Sequence, residues 1–344
     1  MKYRDTLGRF FTPGAIADIP TGNLLWVDAV NGNNALAARA RMTVPFQTLQ
    51  KARDAAVSGD TIMVMPGTYN ENDLLRNGIN WHFFNGTKIN YTGGGSLAIF
   101  DTNGASVTSR ITGYGEFING NSSGSKQVIY FATGGPSVFV QAKRMQAEAE
   151  CVRAIASSGL LELEVSEDIH ATTEGLWMSG GCTVKVRAGA IYSSAAAALR
   201  MSAGRCEVDA HDLTSYSTSS QDGTIRVDGG TGLSSVRAVE ILGGFRPGVL
   251  YNASSSSTKI HIIGARIVAS GSTSNGRSVD IQTNVSDGVR LVGCALIASG
   301  DYSLFAANSG TRVHVLDGLA VNIAQNANVS AIGGEIYTPN SNIN

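Results

Sequence analysis

The sequence predicts an all-β fold, a parallel β-helix of about 11 coils, with three short strands per coil and an N-terminal amphipathic capping helix. Three observations predict it: a composition rich in turn residues, an internal repeat, and one isolated helical pattern near the start. The 344-residue chain has 41 glycines and 43% apolar residues, but only 15% charged residues. Such a composition is typical of many short strands joined by turns.

The repeat consists of an alternating apolar strand, a small turn and a second short strand, with a period of about 26 residues. It is clearest in TKIHIIGARIVASG (258–271), DGVRLVGCALIASG (287–300) and TRVHVLDGLAVNIA (311–324). A third strand precedes each copy and ends in Gly, Ser or Asn, which tolerate sharp turns. Because one coil cannot bury its own apolar face, the repeat predicts stacked coils. The inward residues expected to stack are Val107, Val138, Leu161, Val184, Cys206, Val236, Ile260, Val289 and Val313.

The helical pattern lies in PFQTLQKARDAAV, residues 45–57, where Phe46, Leu49 and Ala52 share one face. We expect this helix to cover the open end of the first coil, whose first rung is predicted at 61–65, and so to hide an unpaired sheet edge. No GxGxxG follows that strand and no helix–strand alternation continues, which excludes a dinucleotide-binding fold. The predicted organisation is an extended segment at 1–22, a cap at 23–60, the solenoid at 61–330 and a C-terminal cap or tail at 331–344.

Charge and motif content argue against several functions. The formal net charge is -1, so no basic field would hold nucleic acid. Neither the apolar core of a signal peptide nor a run long enough to span a membrane occurs, so we expect no leader and no membrane insertion. The five histidines and four cysteines lack metal-ligand spacing. We therefore expect no metal, no cofactor and free, packed thiols.

Outward positions beside the predicted stack alternate in charge. Opposite charges about 4.8 Å apart attract, so the alternation favours the alignment. We interpret the columns as salt-bridge ladders that keep an exposed sheet solvated, and a carbohydrate-binding or catalytic face is the alternative. The first column is Glu162, Lys185, Glu207, Arg237, His261, Arg290 and His314, and the second begins Glu164, Arg187 and Asp209.

Glu164 and Asp209, with Asp212 close by, are the candidate carboxylates for glycosidic cleavage. Two coils separate the first two, near the upper limit for an inverting pair. However, Arg187 should lie between them and keep both ionised, which makes a poor general acid. We therefore expect no catalysis. Exposed aromatic side chains could stack on sugars, although aromatics more often fill a solenoid core. These candidates are Trp81, Tyr192, Tyr216 and Tyr302.

Residues 27–71 resemble the N-terminal capping region of the right-handed β-helix, pectate-lyase-like superfamily. The motifs that carry the resemblance are Val27-Asp28, PFQTLQKA at 45–52, GDTIMV at 59–64 and PGTY at 66–69. The resemblance implies a right-handed single-stranded parallel β-helix. The superfamily includes polysaccharide lyases, bacterial surface proteins, and phage tailspikes and fibres. The segment NENDLLRNGINWHFFNGTKIN (70–90) is also similar to phage spike sequences.

The resemblance implies a bacteriophage virion structural protein, a tail or head spike or fibre, assembled in the host cytoplasm. It further implies a homotrimer that recognises host-surface polysaccharide without catalysis and attaches to other virion proteins through residues 1–22. Small residues in SSAAAALRMSAG (193–204) would let three chains pack side by side. Two alternatives remain open: a capsule or lipopolysaccharide depolymerase (glycoside hydrolase or lyase) of this fold, and a bacterial surface adhesin. The Asp-rich calcium cluster and catalytic arginine of the lyases have no clear counterpart, and we expect no large head-binding domain of the kind that many tailspikes carry.

Overall fold

The structure, a computed structural model, describes seventeen segments of the chain. They are residues 3–4, 10–11, 22–39, 43–94, 98–102, 106–121, 127–132, 134–218, 222–253, 258–271, 276–283, 288–299, 303–306, 312–317, 319–321, 328–332 and 335–337. These segments contain one helix and 33 strands. No helix in them is long and apolar enough to cross a membrane.

The first third of the chain contains the helix and eleven strands: β1 (Tyr3–Arg4), β2 (Phe10–Phe11), β3 (Leu24–Val27), α1 (Leu49–Ala55), β4 (Thr61–Val64), β5 (Gly67–Tyr69), β6 (Asn80–Phe83), β7 (Thr87–Tyr91), β8 (Phe100–Asp101), β9 (Thr108–Gly113), β10 (Glu116–Asn119) and β11 (Ile129–Phe131). The middle third contains β12 (Ser137–Ala142), β13 (Arg144–Ala147), β14 (Val152–Ala154), β15 (Leu160–Ala171), β16 (Leu176–Met178), β17 (Thr183–Ser193), β18 (Leu199–Met201), β19 (Arg205–Ser215), β20 (Ile225–Val227), β21 (Gly232–Arg237) and β22 (Glu240–Gly243). The last third contains β23 (Val249–Tyr251), β24 (Thr258–Ile263), β25 (Arg266–Ala269), β26 (Val279–Ile281), β27 (Val289–Val292), β28 (Ala295–Ala298), β29 (Leu304–Ala306), β30 (Arg312–Leu316), β31 (Leu319–Val321), β32 (Asn328–Ile332) and β33 (Glu335–Tyr337).

Parallel pairing from one coil to the next builds three faces, while β1 and β2 form a separate antiparallel pair. Face 1 consists of β3, β4, β6, β9, β12, β15, β17, β19, β21, β24, β27, β30 and β32. Face 2 consists of β5, β7, β10, β13, the second halves of β15, β17 and β19, then β22, β25, β28, β31 and β33. Face 3 consists of β8, β11, β14, β16, β18, β20, β23, β26 and β29.

The predicted parallel β-solenoid is confirmed. Face 3 contains nine stacked strands, so about eight turns have all three faces, fewer than the predicted 11. The described rungs before β8 and after β29 pair only on faces 1 and 2. The core is one continuous apolar column inside the three faces. Aromatic side chains fill it near the N-terminal end, where Phe100 packs edge-on against Phe117 at 4.9 Å between ring centroids.

The cap differs from its prediction in two respects. The helix is shorter than residues 45–57, because Phe46 forms a parallel bridge with Val27 and Thr48 caps the helix in an extended conformation. The first rung of face 1 is β3, which pairs in parallel with β4, and not residues 61–65. The Glu71 carboxylate accepts the backbone N–H groups of Leu49 (2.8 Å) and Gln50 (2.7 Å) and so completes the cap of this helix.

A buried carboxylate joins the cap to the first coils. The Asp60 side chain is 1% exposed and accepts two hydrogen bonds from the Arg39 guanidinium, at 2.6 and 2.9 Å. It also accepts the backbone N–H groups of Asn23 (3.1 Å) and Val57 (2.9 Å). These hydrogen bonds lower the pKa of Asp60, and the hydrogen bond from Arg39 has the largest effect.

Two positions in the predicted stack are wrong by two residues. The partner of Val138 is Ser109 and not Val107, and the partner of Ile260 is Ser234 and not Val236. Both serines are buried, and their hydroxyls satisfy the backbone: Ser109 donates to a carbonyl at 2.6 Å, and Ser234 accepts a backbone N–H at 3.0 Å. A search for apolar residues passes over an inward serine. The other predicted neighbours pair as expected, namely 138 with 161, 161 with 184, 184 with 206, 260 with 289 and 289 with 313.

The small residues of segment 193–204 divide between the inside and the outside of the coil: Ser194 and Ala195 are exposed and Ala196 is half-buried. Ser193, Ala197 and Ala198 lie inside the coil and are at most 1% exposed. They lie at the bend between β17 and β18, where a larger inward side chain would displace the neighbouring turns.

Candidate functional site

The candidate site contains a column of charged residues on the outside of face 1. Cα pairing places Arg187 between Glu164 and Asp209, as predicted. The next member is Arg237, which pairs with Asp209 and so belongs to this column instead of the Glu162 column. The predicted register of β21 was wrong by two residues, since Ser234 and not Val236 pairs with Ile260. Ser235 therefore lies beside Glu207, in the position predicted for Arg237.

Ion pairs between successive coils confirm the ladder. The Arg187 guanidinium lies 3.6 Å from the Glu164 carboxylate, and the Lys185 ammonium lies 3.3 Å from Glu162. All four side chains are at least 37% exposed, so solvent screens these pairs and each contributes at most about 1 kcal/mol. These ion pairs therefore stabilise the fold little, and their main effect is to place charges at regular intervals along face 1.

The second column borders a groove at the corner between faces 1 and 2. This groove, the corner groove, has a volume of about 960 Å³, and a smaller one of about 370 Å³ adjoins it on face 1. Glu164, Arg187, Asp209 and Arg237 line both. The floor of the corner groove is made of small residues, among them Ala188, Gly189, Ala210 and Ala238, so a ligand could approach the backbone closely.

The corner groove brings the three candidate carboxylates together. Asp212, at the start of the face-2 half of β19, lines it with Glu164 and Asp209, and His211 Nδ1 lies 2.9 Å from Asp212 Oδ1. The side chains of Glu164 and Asp212 are 37% and 31% exposed. A carboxylic acid that protonates a leaving group is usually desolvated, so this arrangement favours hydrogen bonding over acid catalysis.

The aromatic candidates fall in different places. Trp81 is completely buried and stacks on Phe83 at 5.8 Å between centroids, so it belongs to the core and cannot contact a sugar. Tyr302 lies outside the described residues. Tyr192 and Tyr216 come from neighbouring coils at the far edge of face 2, and Tyr216 is 52% exposed. Burial, more than the nearby Asp212 carboxylate, raises the pKa of Tyr192.

Sequence reasoning missed two neighbours of these tyrosines. Phe245, 56% exposed, is in the next coil, directly after Gly244. The Tyr216 ring lies so close to Gly244 that a Cβ there would be 2.9 Å from the ring. His170 meets Tyr192 edge-on at 6.4 Å.

An apolar strip on the outside of face 2 also escaped the sequence reasoning. Leu242, Val268 and Ile297 continue the outward column that contains Tyr192 and Thr214. The signal was present in the short strands EILG (240–243) and RIVA (266–269), where an apolar residue occupies the outward position as well as the inward one.

A further feature that the sequence did not reveal is a stack on face 3. Trp177 lies between two arginines of the adjoining coils, 4.4 Å from Arg153 and 5.1 Å from Arg200, measured from guanidinium carbon to ring centroid. Arg200 also pairs with Glu174 (3.1 Å) and Asp228 (3.3 Å). Because these charges are matched within the chain, the stack is best explained as a stabilising ladder.

The described histidines do not assemble a metal centre. His261 and His314 share a column but are separated by Arg290, as expected from their positions two coils apart. Burial, with help from Arg290 and Lys259, lowers the pKa of His261. In the part of the chain that the structure describes, no group of three His, Cys, Asp or Glu side chains could hold a metal ion.

Comparisons with known proteins assign no relative. No family model matches the chain, and no curated protein and no solved structure gives a significant match. The parallel pairing of the strands defines the chain as a parallel β-solenoid, a fold that does not by itself determine function.

Proposed function

We propose that this chain is a bacteriophage virion structural protein, a tail or head spike or fibre, that recognises a host-surface glycan without cleaving it. The observation that carries the proposal is the corner groove, in which Glu164 and Asp209 each neighbour an arginine of the adjoining coil. Such a groove offers hydrogen-bonding groups at a fixed spacing along a rigid solenoid, which suits a chain of sugars. The sequence resemblance of residues 27–71 to the capping region of the pectate-lyase-like superfamily, and of residues 70–90 to phage spike sequences, supports the virion assignment.

Assembly as a homotrimer is part of the proposal, with residues 1–22 attaching the spike to other virion proteins. Its support is the apolar strip of Leu242, Val268 and Ile297 on the outside of face 2, since exposed apolar strips mark protein contacts. Ile297 is 42% exposed.

Light scattering tests the assembly. We expect three times 35.9 kDa for the full chain and a trimer for the chain that lacks residues 1–22. The variant Ile297→Lys should be monomeric, because each contact would bury an ammonium group without a partner of opposite charge. A monomeric mass for the wild type at micromolar concentration would refute the trimer.

Incubation with purified bacterial capsular polysaccharides and lipopolysaccharides tests recognition. We expect the protein to co-elute with at least one glycan while the amount of reducing ends and the chain length stay constant. Release of oligosaccharides would instead favour a depolymerase.

A depolymerase is the second candidate function, favoured by the presence of Glu164, Asp209 and Asp212 in one groove. Glu164→Gln, Asp209→Asn and Asp212→Asn separate the two proposals. If any of them abolishes release of reducing ends, or of the unsaturated products of a lyase, the groove is catalytic. If the wild type releases nothing, the recognition proposal stands.

A further inference from the structure

The charges of the corner groove repeat every two coils. The column runs Glu164, Arg187, Asp209, Arg237, with each residue Cα-paired to the next. At about 4.8 Å per coil, the two arginines lie about 10 Å apart along the solenoid axis. This distance is close to the length of one disaccharide unit in an extended polysaccharide.

Most of this charge is available to a ligand. The Arg187 side chain is 71% exposed, and its one ion pair among the described residues, with Glu164, is long at 3.6 Å. Within the same described part of the chain, neither Asp209 nor Arg237 has an ion pair within 4.0 Å. A ligand would therefore not have to displace strong internal partners in order to bind here.

The shape of the groove suits an extended chain. Its lining extends from Tyr114, directly after β9, to Ile263 on β24, which is six coil-to-coil steps and about 29 Å. The floor of alanine and glycine residues lets sugar rings lie close to the sheet.

We propose that the corner groove binds an extended polysaccharide with one carboxylate in each disaccharide unit. Successive carboxylates pair with Arg187 and Arg237, and the neutral sugar between them donates hydroxyl or amide hydrogen bonds to Asp209. The next neutral sugar, on the other side of Arg187, donates to Glu164. The inference rests on the proposed function for the premise that the ligand is a glycan, and it names the class of that glycan.

Asp209 supplies the discrimination. A polysaccharide with a carboxylate on every sugar would place an anion beside Asp209 as well as beside each arginine, and like charges this close repel. A neutral chain has no group to pair with Arg187 and Arg237. The groove should therefore prefer alternating charge over both uniform charge and no charge.

Calorimetry with three defined probes tests the preference on the full chain. Hyaluronan hexasaccharide carries a carboxylate on alternate sugars, its carboxyl-reduced form carries none, and hexagalacturonate carries one on every sugar. We expect hyaluronan to bind at least about fivefold more tightly than either of the others. Raising the salt from about 0.1 M to about 1 M shortens the screening length from about 10 Å to about 3 Å, and should weaken hyaluronan binding while leaving its reduced form unaffected.

Variants locate the site. Arg187→Gln and Arg237→Gln should each weaken hyaluronan binding about fivefold to tenfold. Arg266→Gln is the matched control, because this arginine is 57% exposed, pairs with a carboxylate at 2.7 Å and lies outside the groove. Asp209→Asn should improve hexagalacturonate binding and so reduce the discrimination, a gain that a merely unfolded variant would not show.

Two results would overturn the inference. One is binding of none of the three probes by the wild type. The other is glycan binding that the groove variants leave unchanged, or that is equally tight for hyaluronan and its carboxyl-reduced form. Neither result decides the proposed function, because the mass in solution and the bacterial polysaccharides test that separately.

Discussion

Replacing Asp60 by Asn should loosen the N-terminal cap. The side chain is 1% exposed and accepts four hydrogen bonds, two from the Arg39 guanidinium and one from each of the Asn23 and Val57 backbone N–H groups. An amide offers one acceptor oxygen where the carboxylate offers two, and its NH₂ group would face N–H donors. At least two hydrogen bonds are therefore lost.

The magnitude follows from those contacts. Hydrogen bonds to a charged group contribute about 1.5–3 kcal/mol each. Arg39 is 39% exposed, so solvent screening reduces its share, and the backbone groups of Asn23 and Val57, both on exposed residues, can be partly rehydrated. We expect a loss of about 2–4 kcal/mol, confined to residues 22–64 because a solenoid unfolds in neighbouring units.

Hydrogen exchange measured by mass spectrometry, combined with urea titration, tests this prediction. Asp54→Asn is the matched control, since that side chain is 56% exposed, pairs with Arg53 at 2.7 Å and should change stability by less than about 0.5 kcal/mol. Equal protection of β3 and β4 in the two variants would refute the reasoning.

The same contacts predict a pH dependence. The pKa of Asp60 is lowered below its ordinary value of 3.8, so the stability it contributes is present above pH 3.8 and is lost as the pH falls through the lowered pKa. This acid-induced loosening of the cap should be weaker in Asp60→Asn, where no carboxylate remains to be protonated.

Three further predictions concern the core and the cap. Trp81→Ala should cost about 3–5 kcal/mol in chemical denaturation because it removes a completely buried ring, whereas Tyr216→Ala, at a 52% exposed position, should cost far less. Ser234→Ala should cost about 1–3 kcal/mol because a buried backbone N–H loses its acceptor, and the outward-facing Ser235→Ala should be close to neutral. Burial raises the pKa of Glu71 above 4.5, so folding favours its protonated form. The stability of the cap should therefore fall as the pH rises through the raised pKa. In Glu71→Gln, hydrogen exchange of the cap should lose this dependence on pH.

The sequence was sufficient to predict the solenoid because its signals are local and repeated. Apolar residues alternate with a period of two, turn residues recur at regular spacing, and only one segment has a helical pattern. Together these signals predict short stacked strands, and the observed parallel pairing confirms them. The cap was less predictable. Phe46 fits a helical face by spacing, yet it bridges Val27 of a distant strand, and a contact between residues so far apart in sequence leaves no trace in a helical pattern.

The site depended on register, which is a harder quantity to predict. A slip of one residue would turn every side chain to the other face and would be noticed at once, but a slip of two preserves the inward and outward alternation. Val236 and Ser234 both point inward, so the apolar pattern could not choose between them. The pairing of Val208 with Val236 and of Asp209 with Arg237 shows that Arg237 follows Asp209 in the column.

This register decides what the corner groove can bind. With Arg237 in the Glu162 column, the groove would end at Asp209 and present a single arginine between two carboxylates. With Arg237 two coils beyond Arg187, it presents two cations at about the spacing of a disaccharide. The buried hydroxyl of Ser234 is compatible with an inward position because it accepts the N–H of Cys206 at 3.0 Å. A residue of the core thus belongs to the strand register that sets the spacing of the charges on the outside of the sheet.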